Sequence, residues 1–183
     1  MPLVRESFDW EHGVFLGSIM SSEMTAAAAG TIGKLRFDPF AMLPFCGYNM
    51  ADYWGHWLEI GRKAGAHLPR IYLVNWFRKD ASGRFMWPGF GDNSRVIEWI
   101  FGRCSGEDDA VATPIGYLPA PGALYTTGLD VSATNMAALL SVDLKAWAAE
   151  AEAIEQHYDR FGAKLPAALA ARLQDLKQAT AAV

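Results

Sequence analysis

One stretch, from Asn75 to Trp99, limits the possible folds of this 183-residue chain more than any other part of it. It begins with apolar and aromatic residues typical of a strand, and a polar turn from Lys79 to Gly83 follows. A second aromatic segment ends at a Pro-Gly break, after which residues 92–94 carry helix-capping side chains. The sequence therefore predicts a hairpin that leads directly into a helix.

Three phenylalanines and one asparagine meet near the start of that helix: Phe77, Phe85, Phe90 and Asn93. Aromatic faces stack on flat ring systems, while an amide offers both donors and an acceptor to a heterocycle's edge. Backbone N–H groups at the start of a helix also favour a nearby anion. These features predict a pocket for a planar heterocycle. The alternative is that the three rings are core residues and that Asn93 only caps the helix.

Three segments of this stretch, NWFRKD, FMWPGFG and DNSRVIEW, resemble the sequences of the GTP-dependent phosphoenolpyruvate carboxykinases. Three other segments resemble the family independently: HGVFLGSIMSSEMTAAA from His12, FDPFAMLPFCGYN from Phe37 and TPIGYLPAPGAL from Thr113. The resemblance runs nearly end to end. It implies a mixed α/β fold, the C-terminal portion of the family's nucleotide-binding domain, with helices packed on a partial sheet and a C-terminal helical hairpin.

The resemblance also implies a guanine pocket over residues 75–94. Phe77 and Phe90 match the family's pair of rings that sandwiches guanine, Phe85 matches the ring at its edge, and Asn93 matches the amide that reads the base. The ATP-using carboxykinases lack this phenylalanine-rich pocket. The implied nucleotides are therefore GTP and GDP, and the choice of guanine over adenine rests chiefly on Asn93.

A small-residue segment follows the first helical pattern. Its alanines favour helix while its glycines favour loop, so it can be ordered in one state and mobile in another; the alternative is a frayed helix end. In the resembling family the matching segment is a lid that closes over the active site and keeps water from an enolate intermediate. The implied lid residues are Met24, Thr25, Ala26, Ala27, Ala28, Ala29, Gly30, Thr31, Ile32, Gly33 and Lys34.

The chain does not carry a phosphate-binding P-loop motif. Gly33-Lys34 is the only Gly-Lys pair, and Ala28 and Leu35 stand where that motif needs glycine and serine or threonine. The resemblance implies that the family's phosphate loop, its lysine, histidine and aspartate ligands for Mn²⁺ or Mg²⁺, and its oxaloacetate-binding arginines belong to segments upstream of Met1. We therefore expect residues 1–183 to be a single C-terminal fragment with no catalytic residue or metal site of its own.

The implied parent enzyme converts oxaloacetate and GTP to phosphoenolpyruvate, carbon dioxide and GDP in gluconeogenesis. Phosphoryl transfer needs metal ions and positive clamps around the phosphates, so we expect this chain to be inactive without the upstream portion of the same enzyme. Two alternatives remain open. The chain is a non-catalytic guanine-nucleotide-binding module, or a structural module in which the phenylalanines are core.

The composition argues against several other classes of protein. A formal net charge of −4 disfavours a nucleic-acid partner, and no apolar run is long enough for a membrane span or signal peptide. Cys46 and Cys104 are too few and too far apart for a zinc site or a disulfide framework, which fits a reducing cytoplasm. The adjacent carboxylates from Glu107 to Asp109 are more typical of a solvated loop than of a metal site.

Local patterns predict the remaining elements. Trp10, Val14 and Phe15 predict a first helix, capped by Ser7 and continuing towards Glu23. The apolar run of residues 71–74 predicts a strand covered on both faces. Two C-terminal helices are predicted over residues 141–180, the first from Ser141 to a stop at Gly162 and the second from Pro166.

Overall fold

The computed structural model describes residues 1–24, 34–63 and 67–181. The chain divides into two compact units. Unit 1 contains Met1–Phe8 and Arg70–Leu144, and unit 2 contains Asp9–Pro69 and Lys145–Val183. In chain order the elements are β1 (Val4–Glu6), α1 (Trp10–Ser18), β2 (Ser21–Glu23), β3 (Leu35–Phe37), α2 (Met50–Arg62), β4 (Tyr72–Val74), α3 (Asn93–Ser105), β5 (Ala110–Thr113), β6 (Gly116–Pro119), α4 (Ala133–Leu139), α5 (Leu144–Asp159) and α6 (Ala167–Thr180). The implied mixed α/β class is confirmed.

Unit 1 is built on an antiparallel sheet with the strand order β4-β1-β6-β5. Val4 pairs with Val74 in one ladder, and Thr113 pairs with Gly116 in the β5–β6 hairpin. Residues 72–74 are all half-buried, so the prediction of a strand covered on both faces is wrong. The physical reason is that β4 lies at an edge of the sheet, among the strands that the structure describes.

The core of unit 1 fastens the hairpin to α3. Met86 and Trp87, at the end of the hairpin, are buried together with Val96 and Trp99 of the helix. The same cluster includes Leu3, Val4, Leu124 and Leu139. Burial of aromatic side chains of this size contributes about 2 kcal/mol or more apiece. The core therefore fixes the place where the hairpin enters the helix.

A buried carboxylate connects three segments of unit 1. Glu6, only 4% exposed, accepts hydrogen bonds from Arg70 at 2.9 Å and from Arg103 of α3 at 2.7 Å. Arg103 also donates to the carbonyl of Asp108 at 2.8 Å. Two guanidinium groups offset the cost of removing one carboxylate from water, and removing a partner from such a group is expensive.

We predict that Arg103→Ala destabilises the chain by about 2 to 3 kcal/mol, because Glu6 keeps only one of its two partners in a dry environment. Urea unfolding followed by circular dichroism measures the change. Arg84→Ala is the control, since Arg84 is 82% exposed in its pairing with Asp80. Exposed ion pairs contribute about 1 kcal/mol or less. Equal losses in the two variants would contradict the importance of the buried pairing.

Helix α1 begins later and ends earlier than the sequence predicts. Asp9, not Ser7, caps it, with the Asp9 Oδ1 atom accepting from the His12 backbone N–H at 2.7 Å. Ser7 instead continues the pairing of the sheet, because its N–H donates to the Ile71 carbonyl. The helix ends at Ser18, and Ser21–Glu23 then pair with Leu35–Phe37 instead of extending the helix.

Helix α1 lies at the centre of unit 2. It packs against α2 and α6, and every residue from His12 to Ser18 is buried. The Ser18 hydroxyl is hydrogen-bonded to the Tyr158 hydroxyl of α5 at 2.5 Å. Only glycine fits at position 17, because a Cβ atom there would collide with the ring of Phe40. The helix is thus held by close contacts on several sides.

The two C-terminal helices differ in how closely they follow the predicted bounds. Helix α5 begins at Leu144 instead of Ser141, whereas α6 begins immediately after Pro166. Proline suits the start of a helix because its missing N–H would have no partner there.

Among the described residues, no helix combines the length and apolar character needed to cross a bilayer.

A buried histidine supports the pair formed by β2 and β3. The ring of His157 stacks on Phe37 of β3, with centroids 4.2 Å apart and planes 12° from parallel. Burial lowers the pKa of His157 to about 4, and the charge of Arg160 adds to the effect. His157 is therefore neutral at pH 7, which allows its ring to pack as an aromatic group.

We predict that unit 2 loses stability as the pH falls from about 6.5 to about 4. The unfolded chain binds a proton at His157 in this range and the folded chain does not, so protonation favours unfolding. At about 1.4 kcal/mol per pH unit, the loss is about 3 kcal/mol. Chemical denaturation at several pH values measures it. His157→Phe keeps the stack on Phe37 and should flatten this dependence, whereas His56→Gln, an exposed control, should not. An unchanged slope in His157→Phe would contradict the assignment.

Candidate functional site

The hairpin before α3 has a tightly bonded turn. The Asp80 carboxylate accepts from the Ser82 hydroxyl at 2.6 Å, from the Ser82 N–H at 2.8 Å and from the Arg84 N–H at 3.1 Å. These bonds, led by that of the Ser82 side chain, lower the pKa of Asp80. The arms are joined by an isolated bridge between Lys79 and Phe85. The predicted polar turn therefore holds the two aromatic segments side by side.

The three predicted phenylalanines all lie at the surface. Phe77 is 73% exposed, Phe85 is 58% exposed and Phe90 is 95% exposed. The rings of Phe77 and Phe85 meet edge to face, with centroids 6.2 Å apart and planes at 64°. The alternative that these rings belong to the core is wrong, because Met86 and Trp87 occupy the core positions of this segment.

Phe90 is exposed because of an uncommon backbone conformation. Its φ is 48°, in the left-handed region, and Gly89 before it has a φ of 78°. A left-handed conformation costs a residue with a side chain about 1 kcal/mol or more. The short 3₁₀ turn Phe90–Asp92 then leads into α3. Strain of this kind is common where a side chain must be presented to a ligand, and here it holds one aromatic ring outside the core.

Asn93 is the first residue of α3, but its side chain does not cap the helix. Its Oδ1 atom accepts a hydrogen bond from the Nε1–H of the buried Trp87 at 2.8 Å. An indole nitrogen donates and cannot accept, so this bond identifies the oxygen side of the amide. The Nδ2 group, with two donors, lies on the other side. The alternative in which Asn93 is merely a cap is therefore wrong.

Charged groups around the site have mixed roles. The Lys79 ammonium lies 5.2 Å from the centre of the Phe85 ring, so one edge of the hairpin is positive. Arg95 is held by Asp92 and by the carbonyls of Tyr125 and Thr127, at 2.9 to 3.0 Å. Its guanidinium thus has a structural role in the loop after β6. The site as a whole offers rings for stacking and an amide for hydrogen bonding.

Comparison with known proteins identifies the family. Residues 1–179 match the family described as the phosphoenolpyruvate carboxykinase C-terminal P-loop domain. The chain belongs to this family. The match covers nearly the whole chain and includes the hairpin, the exposed phenylalanines and Asn93.

Several relatives of this carboxykinase-family chain carry the name phosphoenolpyruvate carboxykinase [GTP]. The protein from Treponema pallidum strain Nichols is 57% identical over 180 residues, which is 97% of this chain and 29% of the relative. The protein from Neocallimastix frontalis has the same identity and coverage. That from Chlamydia muridarum is 58% identical over 167 residues, or 91% of this chain and 28% of the relative. The chain thus spans less than a third of the length of these relatives.

The structure describes the two ends of the predicted lid. Met24 donates its N–H to the Lys34 carbonyl at 2.9 Å, which extends the ladder formed by β2 and β3. Residues 25–33 of the predicted lid lie outside the described residues. The two ends of this segment in the carboxykinase-family chain are therefore joined across an antiparallel pair of strands.

The sequence interpretation missed Trp87 as a member of the site. The signal was present, because an indole donor lies six residues before an amide at the start of a helix. Its bond to Asn93 depends on the turn at Gly89 and Phe90, which brings the two residues together.

Within the described ranges, no three His, Cys, Asp or Glu side chains are grouped in a way that would hold a metal ion.

Proposed function

We propose that this chain is the guanine-nucleotide-binding part of a GTP-dependent phosphoenolpyruvate carboxykinase. Phe77 and Phe90 stack on the two faces of guanine, Phe85 lies at its edge, and Asn93 bonds the base. The observation that carries this proposal is the exposure of all three rings, from 58% to 95%, beside an amide oriented by Trp87.

The cost of exposing these rings supports a binding role. Apolar surface in water costs about 25 cal/mol per Å², so three exposed phenylalanines are unfavourable unless something covers them. A flat base covers ring faces and gains stacking energy of about 1 to 3 kcal/mol per base. The left-handed backbone at Phe90 adds a further cost that a bound ligand would offset.

The proposed reaction is that of the named relatives in the direction from oxaloacetate and GTP to phosphoenolpyruvate, carbon dioxide and GDP. Decarboxylation of oxaloacetate leaves an enolate, whose oxygen attacks the γ-phosphorus of GTP while the bond to the β-phosphate oxygen breaks. Phosphoryl transfer of this kind is accelerated by positioning and by positive charge around the phosphates. In this proposal the chain supplies the positioning, because it holds the base of GTP at a fixed place.

The proposal assigns the sites for the phosphates and the metal ions to the rest of the enzyme. The sequence has no P-loop motif, and the described residues do not form a group suited to Mn²⁺ or Mg²⁺, so the proposal places the metal ligands in the upstream portion. The proposal includes a lid over residues 24–34, which would keep water from the enolate. It also includes oxaloacetate and phosphoenolpyruvate as substrates, the upstream portion of the enzyme as partner, and a gluconeogenic role in the cytoplasm.

We predict that the chain binds GTP and GDP with millimolar dissociation constants and ATP more weakly, because the phosphates lack their own clamps. Ligand-observed NMR titration measures such weak binding. Phe90→Ala should weaken GTP binding about tenfold through lost stacking. Its melting temperature should stay within about 2 °C of the original, because the ring is 95% exposed.

Phe101→Ala is the matched control for this titration. Phe101 is also exposed, at 69%, but lies two turns further along α3 from Asn93. It should leave GTP binding unchanged. Absence of binding in the folded wild-type chain, or equal losses in the two variants, would overturn the proposed base site.

We predict that a chimera of the Treponema pallidum relative, with its matching 29% replaced by this chain, forms phosphoenolpyruvate from oxaloacetate and GTP. The identity of 57% makes the replacement compatible with the rest of that protein. In the chimera, Phe90→Ala should raise KM for GTP more than it lowers kcat, because it removes binding to a part of GTP that does not react. A folded chimera without activity would contradict the carboxykinase role.

A further inference from the structure

The hydrogen bond from Trp87 to Asn93 joins a buried residue to one that is half-buried. The Trp87 side chain is 1% exposed and packs in the core of unit 1, and its single polar atom, Nε1, reaches the Asn93 amide at 2.8 Å. Resting on the proposed function, we propose that Trp87 is a positioning residue that makes the base site select 6-oxo purines over 6-amino purines. Trp87 does this through Asn93 and does not touch the base.

The Trp87 indole determines the orientation of the Asn93 amide. An asparagine side chain that turns by half a rotation exchanges its oxygen and its NH₂ group, and the two arrangements have nearly the same shape. With Trp87 present, the exchanged arrangement places NH₂ against the indole N–H. Two donors then face each other, and a buried donor without an acceptor costs about 1 to 3 kcal/mol. The indole thus holds the Asn93 oxygen inward.

The orientation of the amide determines which of its atoms face a ligand. With Oδ1 turned towards Trp87, the two Nδ2–H donors are available to the edge of a base. Guanine carries an acceptor, O6, where adenine carries an amino donor, N6. A donor aimed at this position bonds guanine and leaves adenine with two donors in opposition. Hypoxanthine also has O6, so this device does not use the 2-amino group of guanine.

Trp87 and Asn93 are both held rigidly by their surroundings. Discrimination by a hydrogen bond is strong when the protein group cannot turn to suit the wrong ligand. Trp87 is surrounded by Val96, Trp99 and other members of the unit 1 core, and Asn93 is held in the first turn of α3. Neither residue can move far without disturbing the core. The specificity of an exposed site is thereby anchored in the interior.

Trp87→Phe tests the proposal because it keeps an aromatic ring and removes the donor. The affinities of GTP, ITP and ATP for the chain are measured by ligand-observed NMR competition. We expect the ratio of GTP to ATP affinity to fall about tenfold, the size expected for loss of one oriented hydrogen bond. The ratio of GTP to ITP affinity should not change, because both nucleotides carry O6.

Trp99→Phe is the matched control. Trp99 is also 1% exposed, belongs to the same core and donates its indole N–H to a backbone carbonyl, that of Asp109, at 3.2 Å. It therefore reports any general loosening of unit 1. An equal fall of the GTP to ATP ratio in both variants, or an unchanged ratio in Trp87→Phe, would overturn the positioning role. If the wild-type chain binds nucleotides without preferring GTP to ATP, the proposed function fails instead.

A second measurement on the wild-type chain covers the case in which Trp87→Phe does not fold. The Trp87 indole N–H resonance, assigned by NMR, should exchange slowly with solvent because it is buried and bonded. Saturation with GTP and with ITP should shift it equally, and saturation with ATP should shift it much less. Fast exchange, or equal shifts with all three nucleotides, would contradict the proposal.

Discussion

Burial of Trp87 beside α3 is the contact on which the candidate site depends. The hairpin has two aromatic arms, and nothing in its composition requires any particular ring to stay outside the core. Because Met86 and Trp87 fill the core positions, Phe85 must lie at the surface, and the left-handed turn at Gly89 and Phe90 directs the next ring outward as well. The same indole then bonds Asn93. One buried side chain thus sets both the stacking surface and the hydrogen-bonding edge.

The sequence predicts those features of this region that depend only on neighbouring residues. The polar turn, the Pro-Gly break and the start of the helix each depend on a few adjacent residues, and all three are present in the structure. The exposure of the phenylalanines depends on packing, and the run Phe85-Met86-Trp87 has no polar alternation from which it could be read. The bond from Trp87 to Asn93 needs the fold of the turn. The six-residue spacing between Trp87 and Asn93 could suggest this hydrogen bond but could not establish it.

The wrong predictions elsewhere have the same cause. Ser7 and Asp9 are equally good helix caps by residue type. In the structure the pairing of the sheet continues through Ser7 to Ile71, and the helix begins after Asp9. The apolar β4 segment has the composition of a central strand, yet its place in the order β4-β1-β6-β5 is at an edge. Long-range pairing decides both cases, and single-residue propensity cannot anticipate it.

The two units bury polar groups by different means, which gives them different responses to solution conditions. Unit 1 pairs the buried side chain of Glu6 with Arg70 and Arg103. Unit 2 buries the His157 ring in its neutral form, so protonation opposes folding there. The candidate base site lies in unit 1, and its contacts with a base involve aromatic rings and an amide that do not titrate near neutral pH. Base recognition should therefore persist through the range in which unit 2 weakens, provided that unit 1 stays folded.

The site also separates selectivity from affinity. Residues 75–94 bring the rings, the amide and the orienting indole together, whereas affinity for a nucleoside triphosphate comes largely from charges around its phosphates. Selectivity is a difference between two binding free energies, so a contribution common to GTP and ATP cancels from it. In the proposed enzyme, the remaining part of the protein adds the phosphate contribution without altering the discrimination made at O6. We therefore propose that this chain, which spans less than a third of the length of its relatives, holds the base preference of the whole protein while binding each nucleotide weakly.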